Sequence, residues 1–282
     1  MGAISDSDAV LEKERLFAQH QAALTILQGL IDKPGITSFD WLDIGCGKGQ
    51  IIINLDDNLG EESRKIISYN GFDIKEDFLL IAIRKAESLS LKASNGQIGD
   101  ITNFANLHPE ENKFDFITIT NSIHELDPFQ IPIVLLECIL RLKDDGILFI
   151  YDMEALPFRE LGAVAWTREE IHEILKVFLK TIGTDYSPTP GKWKHKSCNG
   201  WNIQLKRSHF EIENETINES KTEIIRISQE QVKKTLHTKL EKCMVSLESL
   251  TKYGAETEDE ENLKLANLFD FWAINRIKEN IK

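Results

Sequence analysis

The sequence predicts an α/β fold: a seven-stranded mixed sheet with helices on both faces, an N-terminal helix before it and a C-terminal helical extension after it. Three observations carry that expectation. Apolar, β-branched runs alternate with helical periodicities from residue 39 to about residue 181, the pattern of a parallel sheet. Two further strand-like runs come after, with Asn199-Gly200 between them as a two-residue hairpin signal. Beyond residue 210 the texture changes to long helical periodicities, with no proline after Pro190.

Taken in order, residues 7–31 place Val10, Phe17, Leu24, Leu27 and Ile31 at helical spacing, and Pro34-Gly35 ends the run. A strand at 39–44, a helix from Lys48, a strand ending at Phe72-Asp73 and a helix over 76–89 come next. A short strand at 97–98, the β-branched run 114–120, a helix over 129–142 and a strand at 147–151 continue the alternation, with Asp145-Gly146 as the turn before the last. Thr167 and Glu170 have the spacing of a capping box, which starts a helix over 167–181. Strands at 192–197 and 201–206 complete seven. In the extension Leu236, Leu240, Cys243, Leu247 and Leu250 step by four, three, four and three, the seam of a helix that packs on another helix. Leu265, Leu268, Phe269, Trp272 and Ile277 supply the facing stripe across a turn at Gly254. The expected divisions are 1–35 as a cap helix, 36–210 as the sheet domain and 211–282 as a helical extension that packs on the core or on a second copy, or holds a partner.

The 282 residues suffice for one α/β domain of about 200 residues and an added module. The formal net charge of -13 is spread over both parts: 31 acids against 22 bases through residue 210, and 15 against 11 after it. Nucleic-acid affinity rests on Lys and Arg neutralising phosphate, so this balance argues against a nucleic-acid partner. Lys192, Lys194, Lys196, Lys206 and Arg207 form the one basic cluster, which reads more simply as the solvated face of a β-hairpin. Cysteines 46, 138, 198 and 243 make no CxxC pair and no metal-ligand spacing, which suggests free thiols in a reducing compartment. Asp6, Asp8, Glu12 and Glu14 stand where a signal peptide needs basic and apolar residues, and no 18-residue apolar run occurs. The expectation is a cytoplasmic protein with no membrane partner.

The most informative segment is WLDIGCGKGQ, a strand entering Asp43 followed by glycines at 45, 47 and 49. A dinucleotide fingerprint needs GxGxxG, and position 50 is Gln, so that match fails. A loop of this kind suits a compact ligand that approaches the backbone, with an acid near the ligand's ammonium. Here the sequence resembles the class I S-adenosylmethionine-dependent methyltransferase family, from about Trp41 to Tyr151 and more loosely to Phe210. The resemblance implies a Rossmann-like core with S-adenosyl-L-methionine as cofactor. Asp43, Gly45, Cys46, Gly47 and Gly49 match the first motif, whose loop lies along the methionine moiety. Asp73, followed by Ile74, matches the acid that grips the ribose hydroxyls. Asp100 and Ile101 match the segment beside the adenine. FDFITITNSIHEL matches the fourth motif, with Asn121 where ligand and acceptor meet, and LKDDGILFIYD resembles the family's LKPGG segment with Asp144-Asp145 in place of Pro-Gly.

Methyl transfer from a sulfonium is an in-line displacement, so the protein mainly aligns the acceptor and removes its proton where needed. Asn121, Ser122, His124 and Glu125 follow the strand whose end borders the crevice, and His124 and Glu125 are the catalytic candidates; they also read as residues satisfying a turn ahead of Pro128. The [DNS]PP[YFW] tetrad of amino-methylating branches is replaced by Asn-Ser-Ile-His, which favours an oxygen, carbon or sulfur acceptor. Asp152 and Glu154 are the carboxylates a metal-dependent site would use, but position 121 is not Asp, and no metal is expected. The leading expectation is a methyltransferase acting on a small molecule, with the N-terminal helix and residues 153–166 as a lid. The alternatives are a noncatalytic cofactor-binding adaptor whose helical tail binds a partner, and a protein or RNA methyltransferase.

Overall fold

A computed structural model describes residues 18–107, 111, 113–156, 162–195, 198–210 and 212–279. The seven strands are β1 (Phe39–Ile44), β2 (Ile67–Asp73), β3 (Ala93–Ile98), β4 (Phe114–Thr120), β5 (Leu142–Met153), β6 (Gly191–His195) and β7 (Cys198–Lys206). They form one sheet in the order β3-β2-β1-β4-β5-β7-β6. The first five are parallel, and β7 lies antiparallel between β5 and β6. The order reverses between β1 and β4, and a crevice outside the carboxyl ends of strands belongs at such a reversal.

The central strands are apolar on both sides because both faces are covered. On β1, Phe39 and Trp41 enter one core while Leu42 and Ile44 enter the other; β5 divides likewise, with Phe149 and Tyr151 against Leu148 and Ile150. The first face carries α1 (Ala18–Ile31), the short α2 (Leu55–Asn58) and, after the single exposed turn α3 (Glu61–Arg64), α4 (Glu76–Ser88). The second carries α5 (Phe104–Leu107), α6 (Ile131–Leu140) and α7 (Arg168–Ile182). The α7 capping box forms as expected, Thr167 and Glu170 satisfying each other's backbone N–H, and Gly183 ends the helix at φ 93°.

The extension is α8 (Asn214–Glu219), α9 (Lys221–Tyr253) and α10 (Glu258–Glu279). It joins the second core: Ile217, Ile224, Val232, Leu236, Leu240, Ala273 and Ile274 belong to the cluster of α6 and α7. Its direction can be traced contact by contact. Lys221 pairs with Glu137 near the end of α6. Gln229 Nε2 donates to the Phe129 carbonyl ahead of α6 (2.9 Å), and Lys239 Nζ meets Glu170 in the first turn of α7 (3.2 Å) and Asp270 of α10 (3.3 Å). Both α6 and α7 begin at the carboxyl edge of the sheet, so α9 climbs to that edge by Lys239. The 14 residues from Lys239 to Tyr253 carry it about 21 Å further at 1.5 Å per residue, before α10 descends.

Several boundaries differ from the sequence reading. No regular helix starts at Lys48: the glycine loop keeps positive φ through Gly49 (86°), and turns lead into a 3-10 segment Ile52–Asn54 and α2. The Asn54 and Asn58 side chains donate to the carbonyls of Gln50 and Asn54, and this competition with the backbone ladder keeps α2 to a single turn. Edge strand β3 is longer than 97–98, because ASNGQI is polar and half exposed and gives no apolar signal. The helix expected over 129–142 opens as a 3-10 turn Pro128–Gln130 and ends at Leu140. Asp145-Gly146 lies inside β5, where pairing passes from Phe114 with Leu142 to Phe116 with Ile147, so the expected turn is a bulge. The hairpin closes at His195 with Cys198, and Asn199-Gly200 lies within β7. Gly200 is required there because the Trp193 indole occupies the place a side chain would take. In α10, Leu268 and Trp272 of the expected stripe are exposed while Ile277 packs against the core, and the rest of the packed face is Phe271, Ala273 and Ile274, with Asp270 on the Lys239 ion pair. The described part of the N-terminal helix lies flat on the sheet with Leu24, Leu27 and Leu30 buried, and so does not cover the strand ends; residues 7–17 and 157–161 of the expected lid lie outside the described residues.

Candidate active site

At the end of β1 the chain turns through Gly45, Gly47 and Gly49 with φ of 67°, 53° and 86°. The N–H groups of Gly45 and Cys46 both donate to the Phe72 carbonyl (2.8 and 3.2 Å), which lashes the loop to the end of β2. Gly45 is also sterically obligatory: a methyl group on its Cα would overlap the Ser122 hydroxyl. The post-β4 segment therefore rests directly on the glycine loop.

Asp73 ends β2 and is 8% exposed. Its Oδ2 accepts from Gly47 N–H (2.7 Å) and its Oδ1 from Lys75 N–H (2.9 Å), so one carboxylate fixes both the loop and the entry to α4. Burial holds its pKa above the usual carboxylate range despite these donors. Each oxygen retains acceptor capacity for a hydroxyl. Ile74, 43% exposed, stands beside it. Gly99 N–H donates to the Asp73 carbonyl (3.0 Å), which brings Asp100 and the half-buried Ile101 alongside. Asp100 caps the 3-10 turn Ile101–Asn103 through Thr102 N–H and Oγ1, both at 2.9 Å.

Asp43 is placed differently from the expectation of an acid at the ligand's ammonium. It is 1% exposed, and its carboxylate accepts from the hydroxyls of Thr118 (2.6 Å) and Tyr69 (3.3 Å), with Trp41 Nε1 donating to the same Thr118 (2.9 Å). These partners hold it beneath the loop, and burial raises its pKa to about 7. Cys46 is likewise buried, against Leu79 and Ala82, with its thiol pushed up by desolvation and by Asp43.

On the acceptor side, β4 ends at Thr120 and Asn121 adopts φ 54°. Its N–H donates to the Tyr151 carbonyl (2.9 Å), while its Oδ1 is buried with no hydrogen-bond partner among the described residues. A buried acceptor left unmade costs about 1 to 3 kcal/mol, so this atom is poised for a donor. Next comes the 3-10 turn Ile123–Glu125. His124, 3% exposed, brings Nδ1 to 2.6 Å from Asp152 Oδ1, and its backbone N–H donates to Asp152 Oδ2 (2.9 Å). Asp152, 1% exposed near the end of β5, also accepts from Met153 N–H (2.7 Å). The His124 carbonyl takes Val164 N–H (2.9 Å), tying the segment after β5 to the same turn. Glu125 is half-buried beside it.

A family model described as a methyltransferase domain matches residues 38–195, which span β1 to β6. The chain belongs to this family. It is an S-adenosylmethionine-dependent methyltransferase of class I. No curated protein matches its sequence. Among solved structures the methyltransferase is similar to magnesium protoporphyrin IX methyltransferase from Synechocystis PCC 6803 with bound SAM, at 17% identity and TM-score 0.47, over 67% of this chain and 79% of that one. It is similar to the CurJ carbon methyltransferase at 16% identity and TM-score 0.47, over 66% of this chain and 53% of that one. The plantazolicin methyltransferase BpumL in complex with SAH gives 23% identity and TM-score 0.35, over 48% and 46%. The chain thus spans about half the length of the last two.

The structure brings the motif residues of the methyltransferase to one edge of the sheet, with the exception of the Asp43 carboxylate. Sequence reasoning paired Asp152 with Glu154 as carboxylates for a metal-dependent site. Asp152 is instead the partner of His124, and Glu154 Oε1 accepts from Arg168 N–H at the start of α7 (3.1 Å). The signal for Asp152 was its position one residue past Tyr151, at the end of an apolar strand that neighbours β4. Ser122 was named as a polar neighbour, but its seat against Gly45 has no sequence signature.

Proposed function

We propose that this methyltransferase acts on a small-molecule acceptor, with His124 as the base that takes the acceptor's proton and Asp152 as the positioning residue behind it. The observation that carries the proposal is the buried contact of 2.6 Å between His124 Nδ1 and Asp152 Oδ1 at the carboxyl ends of β4 and β5. Asp152 is anchored by two backbone N–H groups, so it holds the imidazole as the Nδ1–H tautomer and makes Nε2 the basic nitrogen. Glu125, the other candidate, lies half-buried in the same 3-10 turn and is assigned to shaping it.

The residues present fit the cofactor. The loop 45–49 bears no side chain at Gly45, where Ser122 closes in, and Asn121 Oδ1 on its flank is a buried acceptor with no partner among the described residues. Gly45, Cys46, Gly47 and Gly49 would line the methionine moiety through their backbone, Asp73 would accept the ribose hydroxyls, and Ile74, Asp100 and Ile101 would border the adenine. Asp43 would act from beneath, a buried carboxyl whose pKa is raised to about 7. When bound, S-adenosylmethionine supplies a methyl group on a sulfonium, an already activated leaving group. The chain's own task is alignment and proton removal.

The acidic net charge supports a small molecule over a nucleic acid. The absence of a [DNS]PP[YFW] tetrad supports an oxygen, carbon or sulfur acceptor. No helix among the described residues is long and apolar enough to cross a membrane. The free thiols of Cys46, Cys138 and Cys243 support a cytoplasmic location. The family match over 38–195 supports 36–210 as the catalytic domain, with 211–282 as its helical extension.

The test is transfer of tritiated methyl from S-adenosylmethionine into cell extract split into a small-molecule filtrate and a macromolecular retentate. Label should enter the filtrate, and His124→Gln should abolish it. Label confined to the retentate would overturn the small-molecule assignment, and undiminished transfer by His124→Gln would overturn the base.

A further inference from the structure

The lower end of α10 comes to rest beside the segment that follows β5. A side-chain atom at the Cβ position of Gly162 would lie 3.7 Å from Arg276 Nη1 and 3.9 Å from Trp272 Cζ3. Two residues on, Val164 is fully buried and bonded to the His124 carbonyl. A short run of contacts thus joins α10, the segment after β5 and the His124–Asp152 pair. Gly162 has φ 94°, a conformation that favours glycine, and its Cα side lies in ordinary contact range of both α10 residues.

Ala273 and Ile274 of α10 are buried, whereas the large apolar residues Leu263, Leu268 and Trp272 are exposed. Trp272 is 45% exposed and Leu268, one turn earlier, 44%, so an apolar stripe continues along the helix above Gly162. Arg276, one turn later, stacks on Trp272 with its guanidinium carbon 5.5 Å from the ring centre. Arg276 has no carboxylate partner among the described residues, whereas Arg141, Arg226 and Lys239 each have one. An indole and a guanidinium that pairs with no carboxylate among the described residues form, side by side, a surface for a flat ring that bears a negative charge: the ring lies on the indole and the planar fork takes the anion. The alternative, a surface for a second copy, would need a carboxylate of that copy to reach Arg276.

We propose that α10 contributes to the acceptor site, Trp272 and Arg276 together selecting an aromatic or heteroaromatic anion, a carboxylate or phosphate on a planar ring. The proposal deepens the small-molecule reading above and rests on it. The helical extension then sets specificity, and the wall it raises above the sheet is the side of the acceptor site away from the glycine loop.

The experiment is calorimetric titration of the full chain, saturated with S-adenosylhomocysteine, with 2-naphthoate and with the neutral 2-naphthamide. Wild type should bind the naphthoate saturably and at least tenfold more tightly than the amide. Arg276→Gln should bring naphthoate down to the amide's level and leave the amide unchanged; Trp272→Ala should weaken both about tenfold. S-adenosylhomocysteine affinity should stay within twofold in both variants, each altered at a site exposed enough to leave the fold intact. Equal binding of the two probes, absence of naphthoate binding, or variants that bind as wild type does would overturn the proposal. So would a variant whose only change is in sedimentation, which would mark a self-association surface. Failure of S-adenosylhomocysteine to bind would strike the cofactor reading instead, and naphthoate titration of the unliganded chain would still decide this one.

Discussion

Residues 43–101 and the ends of β4 and β5 meet at one edge of the sheet but are held in different ways. The proposed donor half comes from a single stretch of chain, and its shape is carried by backbone N–H groups: Gly45 and Cys46 to the Phe72 carbonyl, Gly47 to the Asp73 carboxylate, Gly99 to the Asp73 carbonyl. The acceptor half is assembled over long distances in sequence, with His124 on Asp152, Val164 on His124, and α9 and α10 behind the segments that carry them. A half made of backbone tolerates change far away and fails at its glycines. A half made of tertiary contacts depends on the extension.

The sharpest way to break that comparison is truncation after Phe210. It strips Ile217, Ile224, Val232, Leu236, Leu240, Ala273 and Ile274 from the core shared with α6 and α7, and should leave a chain with no cooperative melting transition. A truncated chain that melts cooperatively and binds S-adenosylhomocysteine normally would show that the extension is dispensable. Next in size, Gly45→Ala introduces both the collision with Ser122 and a strained positive φ; it should weaken S-adenosylhomocysteine by about 100-fold while Gly35→Ala, with nothing nearby, leaves it unchanged. Leu236→Ala, far from both ligands, should cost about 2 to 4 kcal/mol of stability in denaturant unfolding with cofactor affinity unaltered.

The smallest effect is one of pH. Asp43 titrates near 7 when folded and near its usual 3.8 when unfolded, so the folded state binds its proton more tightly. Its contribution is fully present below the unfolded value and is lost as pH rises through about 7. Asp43→Asn should remove that loss. The melting temperature of the variant relative to wild type should therefore rise from pH 5 to pH 8, and a difference that stays flat would show that the carboxyl is not held protonated beneath the loop.

The same contrast explains what the sequence could reveal. Gly45, Gly47, Gly49, Asp73 and Asp100 are legible because they fall within one stretch of chain, in short motifs at the ends of β1, β2 and β3. The sheet itself was legible from its apolar strands, but β3 was seen only at its end because ASNGQI lies at an edge. Asn199-Gly200 misled for a physical reason: glycine marks a close approach by Trp193 as readily as a turn. His124 was a candidate by position alone, and only the fold supplies Asp152, 28 residues later, as its partner. The inward face of α10 could not be chosen from apolar spacing, because a buried ion pair between Lys239 and Asp270 set its rotation.

The central claim is that donor binding and acceptor chemistry reside in separate halves. The most direct test is S-adenosylhomocysteine calorimetry on Asp73→Ala and His124→Gln in parallel. Asp73→Ala should lose about 1.5 to 3 kcal/mol, roughly 10- to 150-fold, because hydrogen bonds to a charged group are removed. His124→Gln should bind within twofold of wild type. Equal losses in both variants, or wild-type affinity in Asp73→Ala, would contradict the division.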